Sequence, residues 1–189
     1  MVYTFIINTL LPGSSKIIYY KHFVPYDVDI VDESTTAADV RTGRRKRRQE
    51  IADMVHSEYQ FRRSVANRSV EEDVLRLGND DTLPDLETGH ILLDCDSEQF
   101  VTWMGAGYTG FALVCDKTEN RLLAESVLRL LIRYLQEHVR VLTQVTDIGL
   151  RTDRVGLVLS RFLPQGTLLF MNNRVVRQFE KELDTLMKT

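Results

Sequence analysis

Residues 118–143, TENRLLAESVLRLLIRYLQEHVRVLT, constrain the fold more than any other stretch of this chain. Leu123, Val127, Leu130, Tyr134 and Val141 form one apolar stripe at helical spacing. Leu128, Leu131, Leu135, Val139 and Leu142 form a second stripe beside it. Thr118 is placed to cap the N-terminus, Glu119 sits where the helix dipole favours an acid, and Arg129, Arg133 and Arg140 mark the wet side. An apolar arc this wide exceeds what one sheet face can cover. The helix must therefore be central, packed by later helices of the same chain or by a second protein.

The rest of the chain supplies a sheet for that helix. VYTFIINTLL and KIIYYKHFV, rich in β-branched and aromatic residues, flank Pro12-Gly13-Ser14-Ser15 and predict an antiparallel hairpin. Near-continuous apolarity in the first run predicts a central strand buried on both faces. HILLDC (90–95), QFVTWMG (99–105) and YTGFALVCD (108–116) predict a meander of three strands. A first helix is expected from about Arg44, with Ile51, Met54, Val55 and Tyr59 at helical spacing and Phe61 and Val65 less regular. TDRVGLVLSRFLPQG predicts a helix capped by Thr152 or Asp153 and stopped at Pro164–Gly166. TLLFM reads as a short extended piece, and NNRVVRQFEKELDTLMK as a final amphipathic helix with an asparagine cap. The order is β-β-α-β-β-β-α-α-α: α+β, a five-stranded antiparallel sheet sandwiched by helices. The 189 residues suit a single domain, with exposed, flexible loops expected at about 25–43 and 66–89 and a brief helix at 70–77.

Charge speaks against a general nucleic-acid binder. Six of the eight residues from Arg41 to Arg48 are basic in a chain of net charge −3, so the remainder sums to −9. Duplex binders need a basic face spread over the domain, because affinity comes from many phosphate contacts. This run is fenced by Asp27, Asp29, Asp32, Glu33 and Asp39 before it and by Glu71, Glu72 and Asp73 after it. Placed in a first helical turn, Arg44, Arg45, Lys46, Arg47 and Arg48 would face the positive end of the dipole, so a frayed segment ahead of the helix is expected. The run reads as a solvated stretch, as a contact for anionic lipid, or as a nuclear or nucleic-acid handle.

Catalytic chemistry finds no constellation. His22, His56, His90 and His138 do not pair at metal spacing. His90 and Cys95 lie five apart along a strand, on opposite faces. The glycines of GAG at 105–107 are followed by a strand, not by the helix a phosphate loop needs. Cys95 and Cys115 read as reduced, partly buried thiols of a cytosolic chain. No run reaches the roughly 18–20 apolar residues of a membrane span, and MVYTFIINTLLPG lacks the basic start of a signal peptide. The expectation is a non-enzyme without metal or cofactor.

Two blocks carry a family resemblance: WMGAGYTGFALVCDKTENRLLAESVLRLLIRYL (103–135) and SRFLPQGTLLFMNNRVVRQFEKEL (160–183). Together with the opening MVYTFIINTLLPG and the element order, they resemble the longin-type sigma subunits of the fifth heterotetrameric adaptor protein complex. The resemblance implies a non-catalytic subunit of a membrane-trafficking coat, pairing with a large zeta-type subunit in a complex with beta and mu partners. It implies peripheral association with late endosomes and lysosomes, company with spatacsin and spastizin, and a role in cargo sorting and retrieval. In clathrin-linked relatives a sigma pocket takes acidic dileucine signals; the matching places here are Gly107, Thr109, Leu131 to Leu135 and Lys16, a poorly furnished groove. Phe162, Leu163, Leu168, Leu169 and Phe170, with Leu131 and Leu135, are candidates either for core packing or for the seat of the large subunit. A longin component of another tether or exchange factor, and a nucleic-acid module using residues 41–48, are the alternative functions.

Overall fold

The computed structural model describes residues 1–23, 37–67, 83–93 and 98–187. Cys95 and the segment 70–77 lie outside these residues. Five strands form one antiparallel sheet: β1 (Val2–Thr9), β2 (Ile17–His22), β3 (Glu87–Leu92), β4 (Gln99–Ala106) and β5 (Thr109–Asp116). The spatial order is β2-β1-β5-β4-β3. β1 pairs with both β2 and β5, so Phe5 stands opposite Lys21 on one side and Leu113 on the other. Ile6 points to one face of the sheet while Phe5 and Ile7 point to the other, and all three are fully buried. A strand with a packed layer on each side needs apolar residues at successive positions, which accounts for the unbroken run in the sequence.

β4 and β5 are joined by a tight turn in which Ala106 stands opposite Thr109 and Gly107 takes φ 54°, in the left-handed region glycine tolerates. The GAG stretch is therefore a hairpin turn. The α-helices among the described residues are α1 (Ala37–Ala66), α2 (Arg121–Val139), α3 (Thr152–Phe162) and α4 (Asn173–Met187). Short 3-10 turns occupy Val145–Leu150 and Pro164–Gly166.

One face of the sheet carries Phe5, Ile7, Phe100, Met104, Phe111 and Leu113 against α2 and α3. Ala124, Val127, Leu128, Leu131, Ile132, Tyr134, Leu135 and Val139 of α2 are all buried there. The wide arc of α2 is thus covered within the chain: Tyr134 stacks on Phe162 of α3 at 4.5 Å, and Phe162 meets Phe179 of α4 edge-on at 5.6 Å. The other face carries Ile6, Val101, Trp103, Ala112 and Val114 against Ile51, Val55 and Tyr59 of α1. Phe61 and Val65, the irregular members of that helical pattern, are exposed.

Several boundaries differ from expectation. α1 begins at Ala37, so residues 37–43 are helix instead of loop, and 87–89 belong to β3. β3 itself ends at Leu92. The cap of α2 is Asn120, whose Oδ1 accepts the Leu123 N–H at 3.1 Å. Thr118 turns back instead, its N–H and hydroxyl both donating to Asp116 Oδ1, at 2.9 and 2.6 Å. The helix stops at Val139 because Arg140 adopts φ 59° and its N–H closes on Gln136 O. Val141 and Leu142 still enter the core from beyond that stop. α3 starts after Arg151 without a side-chain cap, so neither Thr152 nor Asp153 plays that part.

Candidate partner interface

The segment after α3 is built to hold a short strap against the body of the protein. Leu163 closes α3, and Pro164, which cannot continue a hydrogen-bonded helix, opens the 3-10 turn. Gln165 and Gly166 both take positive φ, 50° and 76°. Gly166 lies against the Val2 carbonyl and the Phe23 side chain, where a Cβ would collide with both. Residues 167–172 then run without regular structure until Asn172, whose Oδ1 accepts the Arg174 and Val175 N–H groups at 3.1 and 3.0 Å. Both ends of the strap are therefore fixed by backbone geometry, and the asparagine cap expected for α4 is present.

Within this segment the candidate residues separate. Phe162 and Leu163 are 0% exposed and belong to the core with Leu131 and Leu135, which are equally enclosed. Those four side chains pack the chain's own layers and present no surface to a partner. Leu168 and Leu169 are half-buried, with Leu168 leaning on the core, while Phe170 is 89% exposed. Phe170 thus stands exposed on a strap whose ends are set by the Gly166 turn and the α4 cap.

The positions of the dileucine-type groove are closed from within. Thr109 is fully buried and its hydroxyl donates to Val141 O at 3.2 Å. Leu131 and Leu135 are fully buried, and the exposed Lys16 bonds through its backbone to Thr9, the residue paired with Thr109.

The basic run is helical, which corrects the expected frayed segment. Because α1 starts at Ala37, Arg44–Arg48 lie beyond its first turn, where the dipole penalty has faded. The body of the protein meets the run at Arg48, whose guanidinium lies over the Tyr20 ring at 4.0 Å. Within the helix, Lys46 and Arg47 stand 4.0 and 3.9 Å from Glu50. Arg45 and Lys46 are exposed.

Sequence reading missed the polar clamps of α1. Gln49 Nε2 donates to Ser15 O at 2.8 Å, His56 Nε2 meets Leu11 O at 2.8 Å, and Gln60 Nε2 donates to Leu10 O at 2.8 Å. Their seven- and four-residue spacing places them on one polar helix face, but their partners are backbone carbonyls of the β1–β2 turn, which no residue type announces. His90 is positioned structurally: Nδ1 lies 3.0 Å from Thr102 Oγ1, Nε2 lies 3.9 Å from Glu125, and burial pulls its pKa down. Cys115 is buried, and burial pushes its thiol up to about 12, far from a reactive thiolate. Among the described residues no cluster of three or more His, Cys, Asp or Glu could hold a metal ion, and no helix is long and apolar enough to cross a membrane.

Comparison with known proteins agrees with this architecture. A family model described as AP-5 complex subunit sigma-1 matches residues 1–184. A human protein named AP-5 complex subunit sigma-1 is 52% identical over 82 residues, 43% of this chain and 41% of that relative. The mouse protein of the same name is 53% identical over 49 residues, 26% of this chain and 29% of its own length. The aligned regions thus span less than half of either curated relative. With the family model covering nearly the whole chain, the five-stranded sheet between helical layers belongs to a protein of the AP-5 complex sigma-1 subunit family.

Proposed function

We propose that this chain is the non-catalytic small subunit of an adaptor complex. In this reading it stabilises the complex core by binding a large zeta-type subunit, alongside beta and mu partners, and supports sorting or retrieval of cargo from late endosomes. It is held on the cytosolic face of late endosomes and lysosomes through the complex, in company with spatacsin and spastizin. The observation that carries the reading is Phe170, 89% exposed on a strap whose neighbours Leu168 and Leu169 are half-buried. Exposed apolar surface of this kind is what an obligate subunit interface removes from water, and such interfaces often exceed about 2,000 Å². The seat of the large subunit therefore centres on Leu168–Phe170, with Phe162, Leu163, Leu131 and Leu135 supporting it from below. The exposed cations among Arg44–Arg48 are the part of this reading that faces anionic lipid, each worth about 1 kcal/mol near such a surface.

Affinity purification of the tagged chain from cells, followed by mass spectrometry, tests the proposal. Recovery of zeta, beta and mu subunits in near-equal amounts is expected. Recovery of a different set of large trafficking subunits, or of none, would overturn it.

A further inference from the structure

α4 carries its charges at the ends a helix favours least. Its first turn holds no acidic side chain and its last turn no basic one, the reverse of what the dipole rewards. Arg174, Arg177 and Lys181 recur at three- and four-residue spacing and so share one face, with Arg177 and Lys181 as like charges four apart. Together with Arg161 at the end of α3 they line an open depression. Glu182 is the carboxylate in that lining, and it is already engaged: it lies 3.4 Å from Arg161 Nη1 and accepts from Gln178 Nε2 at 3.2 Å. Arg174, Arg177 and Lys181 have no ion pair among the described residues. Local rules broken together at one place, without compensation inside the fold, are characteristic of a binding surface.

We infer that this depression is a docking site for an acidic segment of another polypeptide. Charge complementarity sets the sign of the partner. The amides set its kind. The cations line an open depression beside Asn173 and Gln178, whose amides both donate and accept and so match a peptide backbone, which a layer of lipid phosphates, acceptors alone, does not. From Arg174 to Lys181 the helix rises about 10 Å, the length of about three residues of extended chain. Arginine forks at two of the three positions favour paired contacts with carboxylates over a diffuse counter-ion cloud.

The test is fluorescence anisotropy on the full chain with a labelled octa-glutamate peptide, an octa-glutamine control, and vesicles of phosphatidylserine and phosphatidylcholine in parallel. Octa-glutamate should bind with an affinity that falls as salt rises, and octa-glutamine should not bind. The triple variant Arg174→Gln, Arg177→Gln, Lys181→Gln should weaken octa-glutamate binding about tenfold, three ion pairs at about 0.5 kcal/mol each. Its thermal midpoint should stay level or rise, because like-charge repulsion on α4 is removed. Arg45→Gln, Lys46→Gln should leave peptide binding unchanged. No binding of octa-glutamate, equal loss in the α1 variant, or vesicle binding that depends on α4 while peptide binding does not, would each overturn the inference.

Discussion

On one face of the sheet, α2 buries eight of its nineteen residues, none of them charged. On the other, α1 is thirty residues long and buries Ile51, Ala52, Val55, Tyr59 and Arg63. The first layer is held by apolar area and ring stacking, with Tyr134, Phe162 and Phe179 in one continuous column. The second is held by a narrow apolar seam plus side-chain hydrogen bonds: Gln49, His56 and Gln60 onto the β1–β2 turn, Tyr59 onto Gly107 O, and Arg62 onto Thr88 O. The difference teaches that a sheet can be covered twice by unlike means, and that the two layers should fail differently when perturbed. Removing bulk from the first leaves a cavity; removing a clamp from the second leaves a carbonyl to water.

The largest effect is expected at Phe162→Ala, which opens a cavity between α2, α3 and α4 and should cost about 3–5 kcal/mol in urea unfolding. On the other face, Tyr59→Phe leaves the Gly107 carbonyl without its buried 3.0 Å donor and should cost about 1–3 kcal/mol in the same measurement. If Tyr59→Phe costs as much as Phe162→Ala, the distinction between the layers is wrong. Smaller again, Arg48→Ala removes a ring contact at a half-exposed tyrosine and should cost no more than about 1 kcal/mol.

The edge where β5 meets α2 adds a pH dependence. Hydrogen bonds from the Thr118 hydroxyl and N–H, and from Tyr3, hold the Asp116 carboxyl down to about 2, below its ordinary 3.8. A carboxyl lowered by folding contributes stability that is present above about 4 and is lost as pH falls through about 2. Asp116→Asn should flatten that acid limb while leaving the apolar column untouched. A variant whose acid unfolding matches the wild type would show that Asp116 does not contribute there.

How legible each layer was in the sequence follows from the same contrast. The arc of α2, the unbroken run of β1 and the asparagine cap of α4 are local patterns, so periodicity and residue type locate them. Asn120 takes the capping role expected of Thr118 because Asp116, two residues earlier, draws the threonine hydroxyl and N–H to itself. The early start of α1 was hidden by an acidic, turn-rich composition, and its clamps by having backbone partners far along the chain. At the candidate interface, sequence pattern named one segment but could not divide it: Phe162 and Phe170 are the same residue type eight apart, one fully buried and the other 89% exposed. Only the turn at Gln165–Gly166, which redirects the chain, separates them.

Those exposed aromatics allow the most direct test of the proposed role. Phe170 is exposed on the strap and Phe61, 64% exposed, on α1. Tagged Phe170→Asp and Phe61→Asp chains would be purified from cells beside the wild type, with folding checked by circular dichroism and the large subunit quantified by mass spectrometry. The account predicts that Phe170→Asp loses the large subunit while Phe61→Asp keeps it. Retention by Phe170→Asp, or loss only in Phe61→Asp, would contradict it and move the seat away from the strap.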